Sequence, residues 1–270
     1  MLNVLQSNQL EKLALRFAKQ ATVAQPLRAE TVVIPNPGMA RWLWLYLARE
    51  HNVSANLDFL LPGSFVWRVF HRLLPDIPAT SSHDPAVMTW QLHRLLRATQ
   101  GDPQFSELHS WRDTSDDRMR FELAQKLAGL FDQYIVYRPD WIKDWRDNKT
   151  PGWQQTLWRR LAEETAEPDW PSLRRRLEGL NPATVAALMP ARVSVFGIPL
   201  LSPGYLDVLR WLSSHIDVNL FLPNPSQEYW AEIVPERSLA KIAGVEDEKT
   251  LYIEEGNALL ASWGLQARDL

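Results

Sequence analysis

The hydrophobic pattern of residues 1–74 alternates between strand-like and helix-like segments. Short runs rich in β-branched or apolar residues predict strands over 2–6, 31–34 and 55–61. Apolar residues at intervals of three and four predict helices over 9–21, 39–50 and 65–74. This β-α-β-α order indicates an open parallel sheet, and therefore an α/β protein.

The pattern between residues 75 and 189 is helical. Apolar residues recur at intervals of three and four, and proline-containing loops separate predicted helices at 85–100, 103–111, 115–137, 139–146, 153–164 and 170–180. Strand patterns return at 192–198 and 217–223, with a helix predicted between them over 202–214. We therefore predict a sheet domain, residues 1–74 and 190–270, interrupted by an inserted all-α domain over residues 75–189.

The junction between the second strand and the second helix has the position of a phosphate-binding loop but not its chemistry. A phosphate-binding junction would carry a glycine-rich loop closed by Lys and by Ser or Thr. Here Gly38 is followed by Met39 and Ala40, and two prolines, Pro35 and Pro37, remove backbone N–H donors. The junction Asn36, Pro37, Gly38, Met39 and Ala40 therefore lacks the chemistry of a phosphate-binding loop.

Composition limits the function classes. The 270 residues are 46% hydrophobic, which is enough for a sizeable core, and the apolar stretches are far shorter than the roughly 20 residues of a membrane helix. The first residues lack a signal-peptide pattern, so we expect a cytoplasmic protein without a membrane partner. A net charge of −3 argues against non-specific coating of nucleic acid.

Catalytic and metal-binding patterns are missing from the sequence. The absence of cysteine excludes disulfides, thiolate zinc sites and cysteine nucleophiles. The six histidines lack metal-binding spacing, and the carboxylates lack the arrangement of a nuclease site. We therefore expect no catalytic residue and no metal site in this chain.

Several short motifs are spread along almost the whole chain. They are GMA and WL within 38–43, ANxDFxLP at 55–62, SFxW at 64–67, LFDQYxVYRPDW at 130–141, VFGI at 195–198, NP at 224–225, YW at 229–230 and LLASWG at 259–264. Together they resemble the N-terminal part of the RecC family, the gamma subunits of exodeoxyribonuclease V (RecBCD). Because the motifs match only the first part of a family member, we expect a fragment of a much larger subunit.

The resemblance implies a superfamily 1 helicase-like fold, a degenerate P-loop NTPase fold that has lost its ATPase chemistry. It also implies that residues 36–40 form the degenerate P-loop of this fold. It implies a non-catalytic DNA-binding and scaffold subunit that acts in double-strand break repair by homologous recombination. Such a subunit guides the unwound 3′-ended strand and recognises a chi-like signal. The implied partners are a RecB-like helicase-nuclease subunit, a RecD-like helicase subunit, and single-stranded and forked double-stranded DNA. ATP and Mg²⁺ are expected only in the partner subunits, so no cofactor is expected here.

Matching the family's motifs onto this chain implies a set of strand-reading residues. They are Arg41, Leu61, Trp67, Leu130, Asp132 and Arg138. The residues alone leave structural alternatives open: Arg41 as a solvated arginine, Trp67 and Leu130 as core residues, and Asp132 with Arg138 as an intramolecular ion pair. Pro35, Pro37 and Arg41 depart from the polar residues of the family, so we expect a chi-like signal different from the best-known octamer.

Two runs of arginine are candidates for phosphate contacts on the inserted helices. They comprise Arg159 and Arg160, and Arg174, Arg175 and Arg176. Their alternative is a solvated helix face. Two other functions also stay open: a nucleotide-binding P-loop-type ATPase, suggested by the strand-turn-helix order, and a helical protein-interaction module without DNA contact, suggested by the tryptophan-rich insertion.

Overall fold

The computed structural model describes residues 1–21, 28–108, 116–147, 152–165, 168, 170–226, 230, 233 and 257–263. The chain divides into two compact units. The sheet unit comprises Met1–Val66, Pro182–Leu201 and Tyr205–Leu270, and the helical unit comprises Trp67–Asn181 and Ser202–Gly204. Among the described residues, no helix has the length and apolar character needed to cross a membrane.

The sheet unit contains a five-stranded parallel sheet. Its strands are β1 (Leu2–Ser7), β2 (Glu30–Val33), β3 (Leu57–Leu60), β4 (Arg192–Phe196) and β5 (Asp217–Pro223). The strand order is β1-β5-β4-β2-β3, and every neighbouring pair is parallel. This confirms the predicted α/β class and parallel sheet. The predicted 1–74 and 190–270 split and the helicase-like character of the sheet stay predictions.

The described helices, numbered in chain order, are α1 (Leu10–Ala21), α2 (Pro37–His51), α3 (Pro62–Leu73), α4 (Pro85–Ala98), α5 (Asp117–Tyr137), α6 (Pro139–Arg146), α7 (Trp153–Thr165), α8 (Trp170–Glu178), α9 (Pro182–Leu188), α10 (Pro203–Ser213) and α11 (Ala258–Trp263). A 3₁₀ helix spans Pro103–Leu108. The boundary between the two units falls inside α3.

One face of the sheet is covered by α1 and α2. The core on this side consists of apolar residues from both helices and from the strands, including Leu13, Phe17, Val32, Leu43, Phe196 and Phe221. The rings of Phe17, Phe196 and Phe221 lie 5.8–6.1 Å apart. At the amino ends of β2 and β4, Arg192 donates two hydrogen bonds of 2.8 Å to the carboxylate of Glu30. This bidentate pair fixes the register of the two strands.

The helical unit is built around the pair α4 and α5 and an aromatic core. Phe131 of α5 is fully buried, and its ring lies 5.4 Å from that of Trp158 and 6.2 Å from that of Trp145. The regular elements described in this unit are all helices. The prediction of helical structure between residues 75 and 189 therefore agrees with the observed elements, whereas its status as an inserted domain stays a prediction.

Several predicted element boundaries were wrong, and two of them were wrong because prolines begin helices here. Helix α2 starts at Pro37 rather than at residue 39, and α3 starts at Pro62 rather than at residue 65. Proline is well suited to the first helical turn, where its missing N–H would have no helical partner. Strand β4 ends at Phe196, before residue 198, because Gly197 has a φ of +67°. Strand β3 covers Leu57–Leu60 instead of 55–61.

Two helical segments also differ from prediction. The segment predicted as a helix over 103–111 is a 3₁₀ helix at Pro103–Leu108, and residues 109–115 lie outside the described part. Helix α9 was not predicted, since Val185 is its buried residue and a single buried position produces no helical period. Tyr229 and Gly264, which belong to the quoted motifs, also lie outside the described residues.

Candidate nucleic-acid interface

The N-terminus of α2 lies where a P-loop would bind phosphate, and the side chain of its N-cap residue, Asn36, caps it. Asn36 accepts a hydrogen bond of 3.0 Å at Oδ1 from the N–H of Met39. Its carbonyl oxygen also accepts from Met39 and Ala40. Pro37 has no N–H to offer. A Cβ on Gly38 would lie 3.0 Å from Asn36 Oδ1, so glycine permits this close cap. The first turn therefore keeps few donors for a phosphate.

The crevice beside this cap is filled by Met39. The chain leaves β2 toward β3 and leaves β4 toward β5 in the opposite direction, so the carboxyl ends of β2 and β4 form the topological switch point of the sheet. A Cβ built on Gly197, directly after β4, would lie 2.9 Å from Cε of Met39. No carboxylate stands in the two residues after β4 or after β5 to hold a magnesium ion. The usual ligand crevice of an α/β fold is therefore occupied by a methionine.

Arg41 and Leu61 lie at the same edge of the sheet. Arg41 is exposed at the start of α2, which follows β2, and Leu61 is 43% exposed directly after β3. The N–H of Ile34 donates to the carbonyl of Leu60 at 2.9 Å, so the chain segments that leave β2 and β3 are adjacent. The sheet thus presents one cation and one apolar side chain at its carboxyl edge.

Trp44 was not predicted as a site residue, but it lies on the same side of α2 as Arg41. Residues three apart on a helix are surface neighbours. Trp44 is 46% exposed, and its Nε1–H donates to the carbonyl of Ser54 at 3.0 Å, which fixes the orientation of the ring. The spacing of Arg41 and Trp44 in the sequence was the signal that could have identified it.

Trp67 is half-buried in the helical unit. Its Nε1–H donates to the carbonyl of Pro78 at 3.0 Å, and its ring meets that of Phe70 edge-on at 6.2 Å. The indole N–H is therefore engaged within the unit. What remains open to a ligand is the uncovered part of the ring.

Leu130 and Asp132 are both half-buried on α5. Because successive residues of a helix are rotated by about 100°, these two side chains point to nearly opposite sides of α5. Asp132 lies near Asp84, the N-cap residue of α4. Burial, and to a lesser extent the charge of Asp84, raises the pKa of the Asp132 carboxyl. A half-buried carboxylate beside another acid is held at an energetic cost, as is frequent at functional sites.

Replacement of Asp132 by asparagine is expected to stabilise the protein at pH 7, because it removes a half-buried carboxylate whose charged form is disfavoured. Because the folded pKa lies above the unfolded value near 3.9, the native protein loses stability as the pH rises through that folded pKa. The gain in Asp132→Asn should therefore vanish at pH 3. Urea unfolding at several pH values measures it, with Glu163→Gln, on the exposed side of α7, as control. A variant less stable at pH 7 would contradict the assignment.

Arg138 lies at the end of α5, away from Asp132. Its guanidinium is 5.5 Å above the ring of Trp141, which is 43% exposed. In the described structure Asp132 and Arg138 form no ion pair with each other, because one faces Asp84 and the other faces Trp141. Trp141 was missed as a candidate. It places an aromatic surface beside a cation, an arrangement suited to a nucleic-acid base.

The two arginine runs make contacts within the helical unit. Arg160 pairs with Asp102 at 3.1 Å, Arg174 with Glu178 at 3.1 Å, and Arg176 with Asp76. Arg159 donates to Thr156 at 3.4 Å, and the exposed Arg175 donates to Ser172 at 3.5 Å. The pairing with carboxylates weakens the case for phosphate binding by Arg160, Arg174 and Arg176, and the role of the runs stays a prediction.

The predicted residues therefore fall into two groups. Arg41 and Leu61 lie in the sheet unit, at the carboxyl edge of the sheet, and Trp67, Leu130, Asp132 and Arg138 lie in the helical unit. Among the described residues no three or more His, Asp or Glu side chains are grouped so that they could hold a metal ion. In the part that the structure describes, the predicted residues and their neighbours offer cations and aromatic rings.

Comparison with known proteins gives consistent similarities. The model of a family described as "RecC, N-terminal domain" matches residues 2–270. The "RecBCD enzyme subunit RecC" of Escherichia coli (strain K12) is 35% identical over 100% of this chain and 28% of that protein. The proteins of the same name from Haemophilus influenzae and Mycolicibacterium smegmatis are 30% and 28% identical, over 97% and 91% of this chain. The chain spans less than a third of the length of these relatives.

Proposed function

The chain belongs to the RecC N-terminal domain family, and from that premise we propose that it is the DNA-guiding N-terminal part of a RecC-type subunit of exodeoxyribonuclease V. The subunit acts in double-strand break repair by homologous recombination, in the cytoplasm. Its partners are a RecB-like helicase-nuclease subunit, a RecD-like helicase subunit, and single-stranded and forked DNA. In this role the chain itself is non-catalytic, and ATP and Mg²⁺ are bound by the partners.

The observation that carries this proposal is the closed junction between β2 and α2. The parallel sheet keeps a strand-turn-helix at its switch point, as a helicase-like fold would. Asn36 caps the helix, and Met39 fills the crevice against Gly197. Such a junction supports a helicase-like frame that has lost nucleotide binding and retains a surface, with Arg41 and Leu61, for a passing strand.

A nucleotide-binding ATPase is the competing function for this fold, and the same junction opposes it. A triphosphate needs several backbone N–H donors, a lysine and a magnesium ligand. Asn36, Pro37 and Met39 replace them here. Equilibrium dialysis of the chain against ATP with Mg²⁺ tests this directly. Binding tighter than millimolar would overturn the non-catalytic assignment.

A second candidate function, a helical protein-interaction module without DNA contact, is favoured by one surface feature. Trp90 of α4 is 65% exposed, and its ring lies 5.0 Å from that of Phe121 on α5. Exposed tryptophan beside other aromatic residues is typical of protein interfaces. The proposed DNA-guiding function does not require this surface, and the crosslinking described next separates the two functions.

Photo-crosslinking of single-stranded DNA in the reconstituted complex is the decisive test. A photoreactive residue at Trp67 or Arg138 is expected to crosslink to the strand, whereas one at Arg97, exposed on α4, serves as the matched control. In parallel, Arg138→Gln should lower the slope of log affinity against log salt by about 0.7, the value for one phosphate contact with a single strand. Arg97→Gln should leave the slope unchanged.

Two results would count against the proposal. Equal crosslinking at Trp67, Arg138 and Arg97 would show that the strand makes no specific contact with the predicted residues. Crosslinks to partner subunits without any to DNA would favour the protein-interaction module.

A further inference from the structure

In the sheet formed by the described strands, β1 lies at one edge, and the described helices cover it on one face only. Its side chains alternate, so that Leu5 joins the core beneath α1 and α2 while Leu2, Val4 and Gln6 point to the opposite face. Val4 is 52% exposed, whereas Leu220, its partner in β5 on the same face, is 4% exposed. The uncovered area therefore begins between β5 and β1.

A groove runs along this face between β1 and α10. Its apolar lining comes from Leu2 and Val4 of β1, from Leu220 and Leu222 of β5, and from Leu206 of α10. The groove measures about 830 Å³ including its open mouth.

The rim of this groove is polar. Asn224 donates a hydrogen bond of 3.0 Å to Gln6 at one end, and Arg210 of α10 stands exposed beside it. Among the described residues that line the groove, Arg210 alone is charged. An apolar floor with one cation at its edge suits an amphipathic protein segment rather than a polyanion such as DNA.

Among the described residues, no helix of the sheet's second helical layer lies over β1, where Val4 is 52% exposed. Strands of a parallel sheet are normally buried on both faces by helices. On the face in question α10 buries Val208, Leu209 and Leu212. Neighbouring packed helices are 8–10 Å apart, about two strand spacings. The next helix in the layer would therefore lie over β1, in the groove. An added strand would instead pair with the backbone edge of β1 and leave this face open.

We propose that an amphipathic α-helix from the part of the RecC-type subunit outside residues 1–270 occupies this groove, next to α10. The helix places aliphatic side chains on Leu2 and Val4 and a carboxylate near Arg210. This inference rests on the proposed function for the identity of the longer subunit. Nearly three quarters of the length of the Escherichia coli and Haemophilus influenzae relatives lies beyond the part that this chain matches, which provides ample polypeptide for one helix.

A single-cysteine accessibility experiment tests the proposal. The chain contains no cysteine, so Val4→Cys introduces a single thiol into it. Maleimide labelling is compared between the 270-residue chain and the full-length subunit, with the modified peptide identified by mass spectrometry. We expect labelling at least tenfold slower in the full-length subunit. Val53→Cys, in an exposed position after α2, is the matched control. It should be labelled at the same rate in both forms, which shows that the reagent is active and that the protein is folded in both. Gln6→Cys, on the same face of β1, repeats the test with a polar site.

Each alternative occupant gives a different result, and each would overturn the proposal. Protection in the 270-residue chain that increases with its concentration would identify a second copy. Protection that appears only after addition of the RecB-like or RecD-like subunit would identify a partner interface. Labelling of Val4→Cys as fast as that of Val53→Cys in all forms would mean that the groove is open, and equally slow labelling in all forms would mean that the 270-residue chain itself covers it. Failure of the DNA crosslinking would leave this result unaffected, because thiol labelling does not depend on DNA.

Discussion

Replacement of Phe131 by alanine is expected to lower the free energy of unfolding of the helical unit by about 3–5 kcal/mol. The ring is fully buried and lies 5.4 Å from that of Trp158, 6.2 Å from that of Trp145 and 6.5 Å from that of Tyr134. Alanine would remove these contacts and leave a cavity that large rigid neighbours cannot fill. Urea unfolding followed by tryptophan fluorescence measures the loss, since two of the contacting rings are tryptophans.

Tyr137→Ala is the control for the same helix. Tyr137 lies six residues further along α5, is 54% exposed, and its truncation should change stability by no more than about 0.5 kcal/mol. If Phe131→Ala cost less than 1 kcal/mol, the aromatic cluster would not be the core of this unit.

Replacement of Gly197 by valine is expected to cost about 2–4 kcal/mol, for two separate reasons. The φ of +67° lies in the left-handed region, which a β-branched residue adopts only under strain of about 1–3 kcal/mol. A Cβ would also lie 2.9 Å from Cε of Met39, so the methionine must move out of the crevice. Thermal unfolding of the purified chain gives the total effect.

A double-mutant cycle with Met39→Ala separates the two reasons. Met39→Ala removes the steric conflict but leaves the backbone strain, so Gly197→Val should cost less in the Met39→Ala background, by about 1 kcal/mol or more. The same cost in both backgrounds would mean that Met39 does not press on this position. The cycle thus tests the geometry on which the absence of nucleotide binding is proposed.

The sheet could be predicted from the sequence because its signals are local. The strands at 31–34 and 217–223 are runs of apolar and β-branched residues bounded by turn residues. Such runs are typical of parallel strands that are buried on both faces. The first residues of the helices were harder to predict. Pro37 and Pro62 were interpreted as the end of a loop, although proline is equally suited to the first turn of a helix. The choice depends on the preceding backbone, which the sequence does not specify.

The candidate site shows the same limit at the level of side chains. The residue types alone predicted that the chemistry of a phosphate-binding loop is missing. The sequence left Arg41 open between a DNA contact and a solvated arginine, and its exposed position on α2 is compatible with both. The sequence could not predict how Asp132 and Arg138 lie relative to each other. A helix ends between them, and each side chain then faces a different neighbour. The ion pairs of Arg160 with Asp102 and of Arg176 with Asp76 join residues far apart in the chain, so no local pattern predicts them.

The Asn36–Pro37 cap has a consequence for the chemical ageing of the protein. Asparagine deamidates when the backbone nitrogen of the following residue attacks its side-chain amide and closes a succinimide ring. Proline has no N–H and cannot close that ring. The proline that deprives a phosphate of a donor therefore also shields Asn36 from deamidation. The cap of α2 should outlast Asn52 and Asn56, exposed asparagines that precede Val53 and Leu57 and have positive φ values.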